Sequence, residues 1–113
     1  MAEESSPLKV VYHERADKAL IEIWNWNATE YGAVHADQYI AFLRERTGAL
    51  DYNHGIGSRV STRPEFRYIV IRRSSRGHGH IAIYRVNEET VQIMEFFHTA
   101  QDWESYVEDA EYL

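Results

Sequence analysis

The order of apolar and polar residues divides this chain into a helical first half and a strand-rich second half. Residues 8–13 (LKVVYH) are rich in β-branched and aromatic side chains, which favours a first strand. Apolar positions then recur every three or four residues over 14–31 and again over 36–50, which predicts two helices. Because only a short break containing Gly32 separates them, we expect an antiparallel helical hairpin.

The second half carries three stretches that are typical of strands. A loop with two glycines and a proline begins at Asp51, and it leads into predicted strands at 66–73, 80–86 and 90–98. Their short links make an antiparallel meander the simplest pairing. The last residues, from Asp102, predict a short acidic helix or tail with Asp102 as its N-cap.

Helices and strands that are segregated in this way predict an α+β fold, in which the helical hairpin packs on an antiparallel sheet and residues 8–13 add a strand. Neither face of the sheet is cleanly polar, so we expect both to be partly covered. In the third predicted strand, Arg85 shares a face with Ile81 and Ile83. In the last one, strict alternation places Val91, Ile93, Glu95 and Phe97 on one face and Met94, Phe96 and His98 on the other.

Length and composition set limits on the kind of protein. The 113 residues predict one domain, 1–113, with a core over about 8–107 and an acidic C-terminal tail. We find no long apolar run and no basic-then-apolar leader, so we expect a cytoplasmic protein without a membrane partner. Cysteine is absent, which excludes disulfides, a thiol nucleophile and thiolate metal ligands. No cofactor is predicted.

Charge is distributed unevenly along the chain. The net charge is -6, but residues 54–86 hold seven arginines, no lysine and one acid, a local charge of +6. Residues 1–53 carry -4 and residues 87–113 carry -8. The middle segment therefore suits an anionic partner, or it pairs internally with the acidic segments on either side.

Two kinds of candidate site follow from these residues. RNA cleavage needs a general acid or base and cations around the phosphate, which His98 and Arg85 could supply. Alternatively, Arg85 pairs with Glu95, and His98 caps or anchors the C-terminal segment. Phosphate or partner contacts are predicted for five further arginines: Arg63, Arg67, Arg72, Arg73 and Arg76.

Two other groups of residues favour structure over chemistry. His78 and His80, together with His98, could form a zinc site, but their i, i+2 spacing lies in a flexible turn, so we expect a solvated turn and no metal. Trp24 and Trp26 are expected to pack within the helical hairpin. Some of the many aromatic rings could still form a groove for a partner.

The second half resembles the RelE/ParE toxin superfamily. "YRV" at 84–86, a polar turn, and the alternating "VQIMEFFH" at 91–98 look like its C-terminal strands, and "RYIVIRR" sits where the family has an earlier strand. The helical stretch is similar to the family's first hairpin at Ala16, Ile23, Trp24, Tyr31 and Tyr39. The resemblance spans residues 8–107 and is strongest to the ParE branch.

This resemblance implies a toxin that a cognate antitoxin binds and neutralises in a hetero-oligomer. ParE-like members inhibit DNA gyrase by protein–protein contact, and a role in plasmid stabilisation is implied. RelE-like members instead cut mRNA on the ribosome, in which case Arg85 and His98 would be catalytic. A third interpretation is a module that only binds its antitoxin. Two departures favour the inhibitor: Glu95 stands where ParE-like chains often carry Arg, and the C-terminal tail is acidic.

Overall fold

Five strands and four helices make up the described part of the chain, residues 7–74 and 77–112 of the computed structural model. In chain order they are β1 (Lys9–Tyr12), α1 (Glu14–Tyr31), α2 (Ala33–Gly48), α3 (Leu50–Asn53), β2 (Ser58–Val60), β3 (Arg63–Ile71), β4 (His80–Val86), β5 (Thr90–His98) and α4 (Trp103–Asp109). The predicted α+β class is confirmed.

The strands form one sheet in the order β1-β5-β4-β3-β2. The predicted meander of β3, β4 and β5 is confirmed, because both of its pairings are antiparallel. β1 lies beside β5 and runs parallel to it. β2 was not predicted: it is a three-residue strand antiparallel to β3 inside the predicted loop, and so short a stretch carries no measurable period.

The start of α1 and the break between α1 and α2 lie at residues whose chemistry suits these positions. His13 is the N-cap of α1, and its Nδ1 accepts a hydrogen bond from the backbone N–H of Arg15 at 3.1 Å. Gly32 separates α1 from α2 with a φ of 96°, a left-handed conformation that glycine adopts at little cost. Trp24 then ties the two helices together, because its Nε1 donates to Asp37 Oδ1 at 2.8 Å.

Both faces of the sheet are covered, as expected. We call the side against α1 and α2 the helix face and the other side the opposite face. The helix face buries Ile71, Ala82, Tyr84, Val91, Ile93 and Phe96 against Ala16, Leu20, Leu43 and Leu50. The opposite face buries Val60, Phe66, Ile81, Ile83, Met94 and Phe97 against Val107, with Tyr68, Trp103 and Tyr112 partly buried beside them.

A β-bulge in β5 corrects the predicted faces. The pairing of β4 with β5 shifts by one residue between Ile83 and Tyr84, which face Glu95 and Ile93 respectively. Met94 is the extra residue, so the alternation changes phase there. Val91 and Ile93 therefore lie on the helix face while Phe97 lies on the opposite face, although strict alternation had placed all three together. A bulge leaves no signal in an apolar strand.

Tyr84 fixes the loop between α3 and β2 from within the core. Its buried hydroxyl accepts a hydrogen bond from the Gly57 N–H at 2.9 Å and donates one to the His54 carbonyl at 2.8 Å. Burial raises the pKa of the Tyr84 phenol, which keeps it protonated as a donor. A Cβ at Gly57 would collide with this hydroxyl, so the close approach of the loop requires glycine.

Candidate functional site

The structure places Arg85 and His98 apart. Arg85 follows Ile81 and Ile83 on the opposite face, and its guanidinium lies 5.8 Å from the centre of the Phe66 ring. His98 lies at the other end of the sheet on the helix face, directly across from His80. Arg85 lies five positions after His80 in β4, which is about 16 Å at the rise of a strand. The two side chains cannot act together on one phosphate in this arrangement.

The expected pairing of Arg85 with Glu95 is wrong. The bulge moves Glu95 opposite Ile83, and Arg85 lies opposite Gln92, to whose Oε1 its Nε donates at 2.9 Å. Glu95 forms an ion pair with Arg15 of α1 at 3.3 Å instead. The same Glu95 oxygen accepts a hydrogen bond from the hydroxyl of Tyr112 at 2.8 Å.

The end of the chain covers the opposite face, and two anchors hold it there. The first is Tyr112: its phenol is buried beside Glu95, and burial together with the hydrogen bond to that carboxylate raises its pKa strongly. The second is Arg63, whose Nη1 donates to the carbonyl oxygens of Val107 at 3.0 Å and Ala110 at 2.6 Å. We call residues 103–112 the C-terminal segment.

The C-terminal segment contains the predicted short helix, α4, whose Trp103 ring lies 4.6 Å from that of Tyr68. Asp102 is the N-cap residue by position, but its carboxylate makes no bond to a helix N–H. Its Oδ2 accepts from the Ser105 hydroxyl at 2.8 Å instead. Packing of Trp103 and Val107, rather than a side-chain cap, therefore holds this helix in place.

A cluster of imidazole rings marks the other end of the sheet. The ring centre of His98 lies 5.1 Å from that of His78 and 5.4 Å from that of His80. His80 Nδ1 is hydrogen-bonded to the hydroxyl of Tyr39 at 2.6 Å, which links the sheet to α2. His98 Nδ1 accepts from the Ala100 N–H at 3.1 Å. His98 thereby anchors the turn that leads to α4, one of the roles expected for it.

The environment keeps the imidazoles of His80 and His98 neutral near pH 7. Burial, and to a smaller extent the neighbouring His98, lowers the pKa of His80 to about 4. The pKa of His98 is also lowered, first by burial and then by His78. Burial raises the pKa of the Tyr39 phenol, and Arg73 opposes this shift. His80 and His98 therefore offer uncharged donors and acceptors at neutral pH.

Imidazole rings this close together are also typical of metal sites. Among residues 7–74 and 77–112, no group of three or more His, Cys, Asp or Glu side chains is arranged to hold a metal ion. His98 Nδ1 is already engaged by a backbone N–H. Gly79 and Thr99 exchange two hydrogen bonds, which tie the residue before β4 to the residue after β5.

The imidazoles line a cleft of about 740 Å³ between the helical hairpin and this end of the sheet. Ala19, Ile23 and Phe96 contribute its apolar surface. Aromatic and imidazole rings from two sides line the rest: Trp26, Tyr31 and His35 from the helices, and Tyr39, His78, His80 and His98 toward the sheet. The volume lies within the range of about 300–1,000 Å³ that is usual for small-molecule sites.

Trp26 corrects the expectation that both tryptophans pack in the hairpin. Its side chain is 58% exposed, and its ring contacts that of Tyr31, itself 61% exposed, with centres 5.8 Å apart. The helical period gave no indication that these rings belong to a cleft, because the second wall comes from the sheet. Their exposure also distinguishes them from the buried rings of the core.

The predicted partner-binding arginines divide into internal and exposed ones. Arg63 and Arg67 donate to backbone carbonyls, the latter to Gly57 O at 2.7 Å, so they hold the loops and the C-terminal segment. Arg72 and Arg73 are exposed and lie after the end of β3, where its pairing with β4 has stopped at Ile71. Arg76 lies outside the described residues.

Comparison with known proteins assigns the chain to a family. Residues 10–103 match the family model described as the ParE toxin of type II toxin–antitoxin systems, parDE. The chain belongs to the ParE toxin family. The resemblance to the ParE branch is thereby confirmed, and type II systems pair a ParE toxin with a cognate antitoxin.

Solved structures support the fold of this ParE family member. Ten chains match it, among them a chain of the chromosomal ParDE TA system from P. aeruginosa. That chain is 20% identical with a TM-score of 0.67, and the match covers 79% of this chain and 92% of the other. A search of curated protein sequences gave no significant match. None of the described helices has both the length and the apolarity needed to cross a membrane.

Proposed function

We propose that this ParE family member is the toxin of a type II pair and inhibits DNA gyrase by protein–protein contact. The match of residues 10–103 to the ParE family model carries the proposal. We also propose that toxin and cognate antitoxin form a hetero-oligomer in the cytoplasm, and that one domain, residues 1–113, carries the activity.

The placement of the polar side chains supports inhibition over RNA cleavage. A nuclease needs its acid or base and its phosphate-binding cation within reach of one scissile bond. Here Arg85 and His98 lie on different faces at different ends of the sheet. On the opposite face, the carboxylate of Glu95 and the acidic C-terminal segment surround the guanidinium groups of Arg15 and Arg63, which disfavours a phosphate backbone.

The experiment that tests the target compares two assays on the same purified protein. We expect inhibition of gyrase supercoiling at stoichiometric or lower toxin concentration, and no cleavage of mRNA on ribosomes. Ribosome-dependent cleavage without an effect on gyrase would contradict the proposal and favour the nuclease. Absence of both activities, from protein that still binds its antitoxin, would favour the binding module.

His98→Ala and Arg85→Ala should leave growth inhibition largely unchanged, because neither side chain performs chemistry in an inhibitor. If the protein were a nuclease, His98→Ala would lower the cleavage rate by about 10²–10⁴. The measurement is toxicity after induced expression, with folding checked by circular dichroism and a melting curve. The inhibitor proposal would be overturned if the folded His98→Ala protein lost its toxicity and the wild-type protein cut mRNA at ribosomal A sites.

We further propose that acidic residues of the antitoxin approach the surface carrying Arg72 and Arg73. Both side chains are exposed, whereas Arg63 and Arg67 are occupied by backbone carbonyls. Exposed charges at the rim of an interface mainly accelerate association and make it depend on salt.

Reversing the charge at Arg72 and Arg73 to Glu should therefore slow antitoxin association about tenfold or more at low salt and reduce its salt dependence. Stopped-flow kinetics at several salt concentrations measures this change. A matched control reverses Lys18 and Arg59, which are also exposed, and alters the net charge equally. If both double variants slow association alike, the effect is one of overall charge, and the proposed surface is wrong.

A further inference from the structure

Aromatic and imidazole rings line two sides of the cleft at the histidine end of the sheet. On one side Tyr31 contacts His35, with ring centres 4.7 Å apart, and Trp26 extends this wall outward. On the other side, the ring centres of Tyr39 and His80 lie 5.4 Å apart. Rings on two sides of a cleft whose apolar surface comes from Ala19, Ile23 and Phe96 favour a flat, unsaturated ligand that can stack on them.

The walls also carry polar atoms that suit the edge of a heteroaromatic ring. Near pH 7 the imidazoles of His80 and His98 are neutral, so they can accept or donate without repelling a ligand cation or anion. His35 Nδ1 is buried and has no hydrogen-bond partner within the part of the chain that the structure describes. Such an unpaired atom costs free energy unless a polar group, for example one on a bound ring, pairs with it.

A cation lies at the rim of the cleft. The guanidinium of Arg73 is 5.5 Å from the ring centres of both Tyr39 and Phe42, and its side chain is exposed. Stacking holds the planar fork in place, while its N–H groups remain able to bind phosphate oxygens in the bidentate manner typical of arginine. Ser74 also lines the cleft beside it.

The charge of the whole chain limits the size of the anion. Glu22 lines the same cleft, and the net charge of the protein is -6. A polyanion would be repelled by this field, and its binding would depend on many cations. A ligand with one phosphate group needs only the local contact with Arg73.

We propose that this cleft binds a mononucleotide, with its base between the two aromatic walls and its phosphate on Arg73. The inference does not depend on gyrase as the target, since it concerns the toxin alone and a different kind of ligand. Binding would rest on stacking for the base and on the guanidinium fork for the phosphate, so both parts of the ligand are required.

Titration calorimetry with the full-length protein tests the proposal, with adenosine and guanosine monophosphates, adenosine and inorganic phosphate as probes. We expect saturable binding of one monophosphate per chain, quenching of Trp26 fluorescence, and about tenfold weaker binding of adenosine. Arg73→Ala and Tyr31→Ala should each weaken binding of the monophosphate about tenfold. The matched controls Arg59→Ala and Tyr52→Ala change exposed residues outside the cleft and should bind as wild type.

Three outcomes would contradict the proposed mononucleotide site. The first is the absence of saturable binding at millimolar monophosphate. The second is an equal loss of binding in the Arg59→Ala control, which would mean that the contact is general electrostatic attraction. The third is a single-stranded oligonucleotide, or inorganic phosphate alone, that binds more tightly than the monophosphate. Melting curves of each variant show whether a loss of binding reflects a loss of fold.

Discussion

Lowering the pH from about 6.5 to 4 should destabilise this protein by up to about 3 kcal/mol through His80 alone. Burial lowers the pKa of His80 to about 4 in the folded state, against 6.5 for the ordinary side chain. Between these two values the unfolded chain binds more protons than the folded one, so stability rises with pH. This contribution is complete above pH 6.5 and is lost as the pH falls towards 4.

The groups around His80 explain why it resists protonation. Its ring lies between Tyr39 of α2 and His98 of β5. Arg73 packs on the Tyr39 ring, and the His78 ring lies beside that of His98. Glu22 is the carboxylate that lines the same cleft and would favour a charged imidazole. Burial is the main cause of the lowered pKa of His80, and the neighbouring His98 contributes less to it.

Urea unfolding at a series of pH values from 7.5 to 4 (chosen to bracket both pKa values) measures this prediction. The carboxylates of the protein also titrate at the acidic end, so the useful quantity is the difference between variants. His80→Gln should show a flatter loss of stability than wild type over this range. His54→Gln, which changes a histidine outside the cleft, should keep the wild-type slope. Parallel curves for wild type and His80→Gln would contradict the buried neutral imidazole.

Arg63→Met should cost about 2–3 kcal/mol of stability and loosen the C-terminal segment. The guanidinium of Arg63 donates through Nη1 to two carbonyl oxygens beyond the middle of α4, and a hydrogen bond that involves a charged group contributes about 1.5–3 kcal/mol net to stability. Met keeps much of the apolar contact with Phe66 and Tyr112, whose ring centres lie 4.8 and 5.6 Å from the guanidinium. The loss therefore reports mainly on the hydrogen bonds.

Chemical unfolding gives the free energy, and hydrogen exchange over residues 103–112 shows where it is lost. Arg59→Met is the matched control, because Arg59 is exposed and donates to the Pro64 carbonyl, at 2.8 Å, rather than to the C-terminal segment. We expect it to change stability by about 0.5 kcal/mol or less. Equal losses in the two variants, or unchanged exchange in the C-terminal segment of Arg63→Met, would mean that Arg63 does not hold this segment.

The sequence by itself determined the helical hairpin, the antiparallel meander and the α+β class. Apolar positions along 14–50 repeat with the helical period, and β-branched residues are concentrated in the three later stretches, so local physics is sufficient for these elements. Gly32 marked the break between the helices, because a left-handed residue is needed there. The residues shared with the ParE branch gave the family.

The tertiary structure alone decided which side chains meet. A single extra residue at Met94 changed the phase of β5, which separated Glu95 from Arg85 and brought it to Arg15 and Tyr112. No local pattern encodes such a bulge, since the apolar residues on its two sides suit either face.

The cleft arises from the same kind of long-range contact. Tyr39 and His80 are 41 positions apart in the sequence. The packing of α2 on the end of the sheet brings the Tyr39 hydroxyl to 2.6 Å from His80 Nδ1. The excess of arginine in the middle segment was visible in the sequence. Which of these arginines are internal depended on where β3 ends and on what packs against it. Arg63 and Arg67 bind backbone carbonyls, whereas Arg72 and Arg73 are exposed.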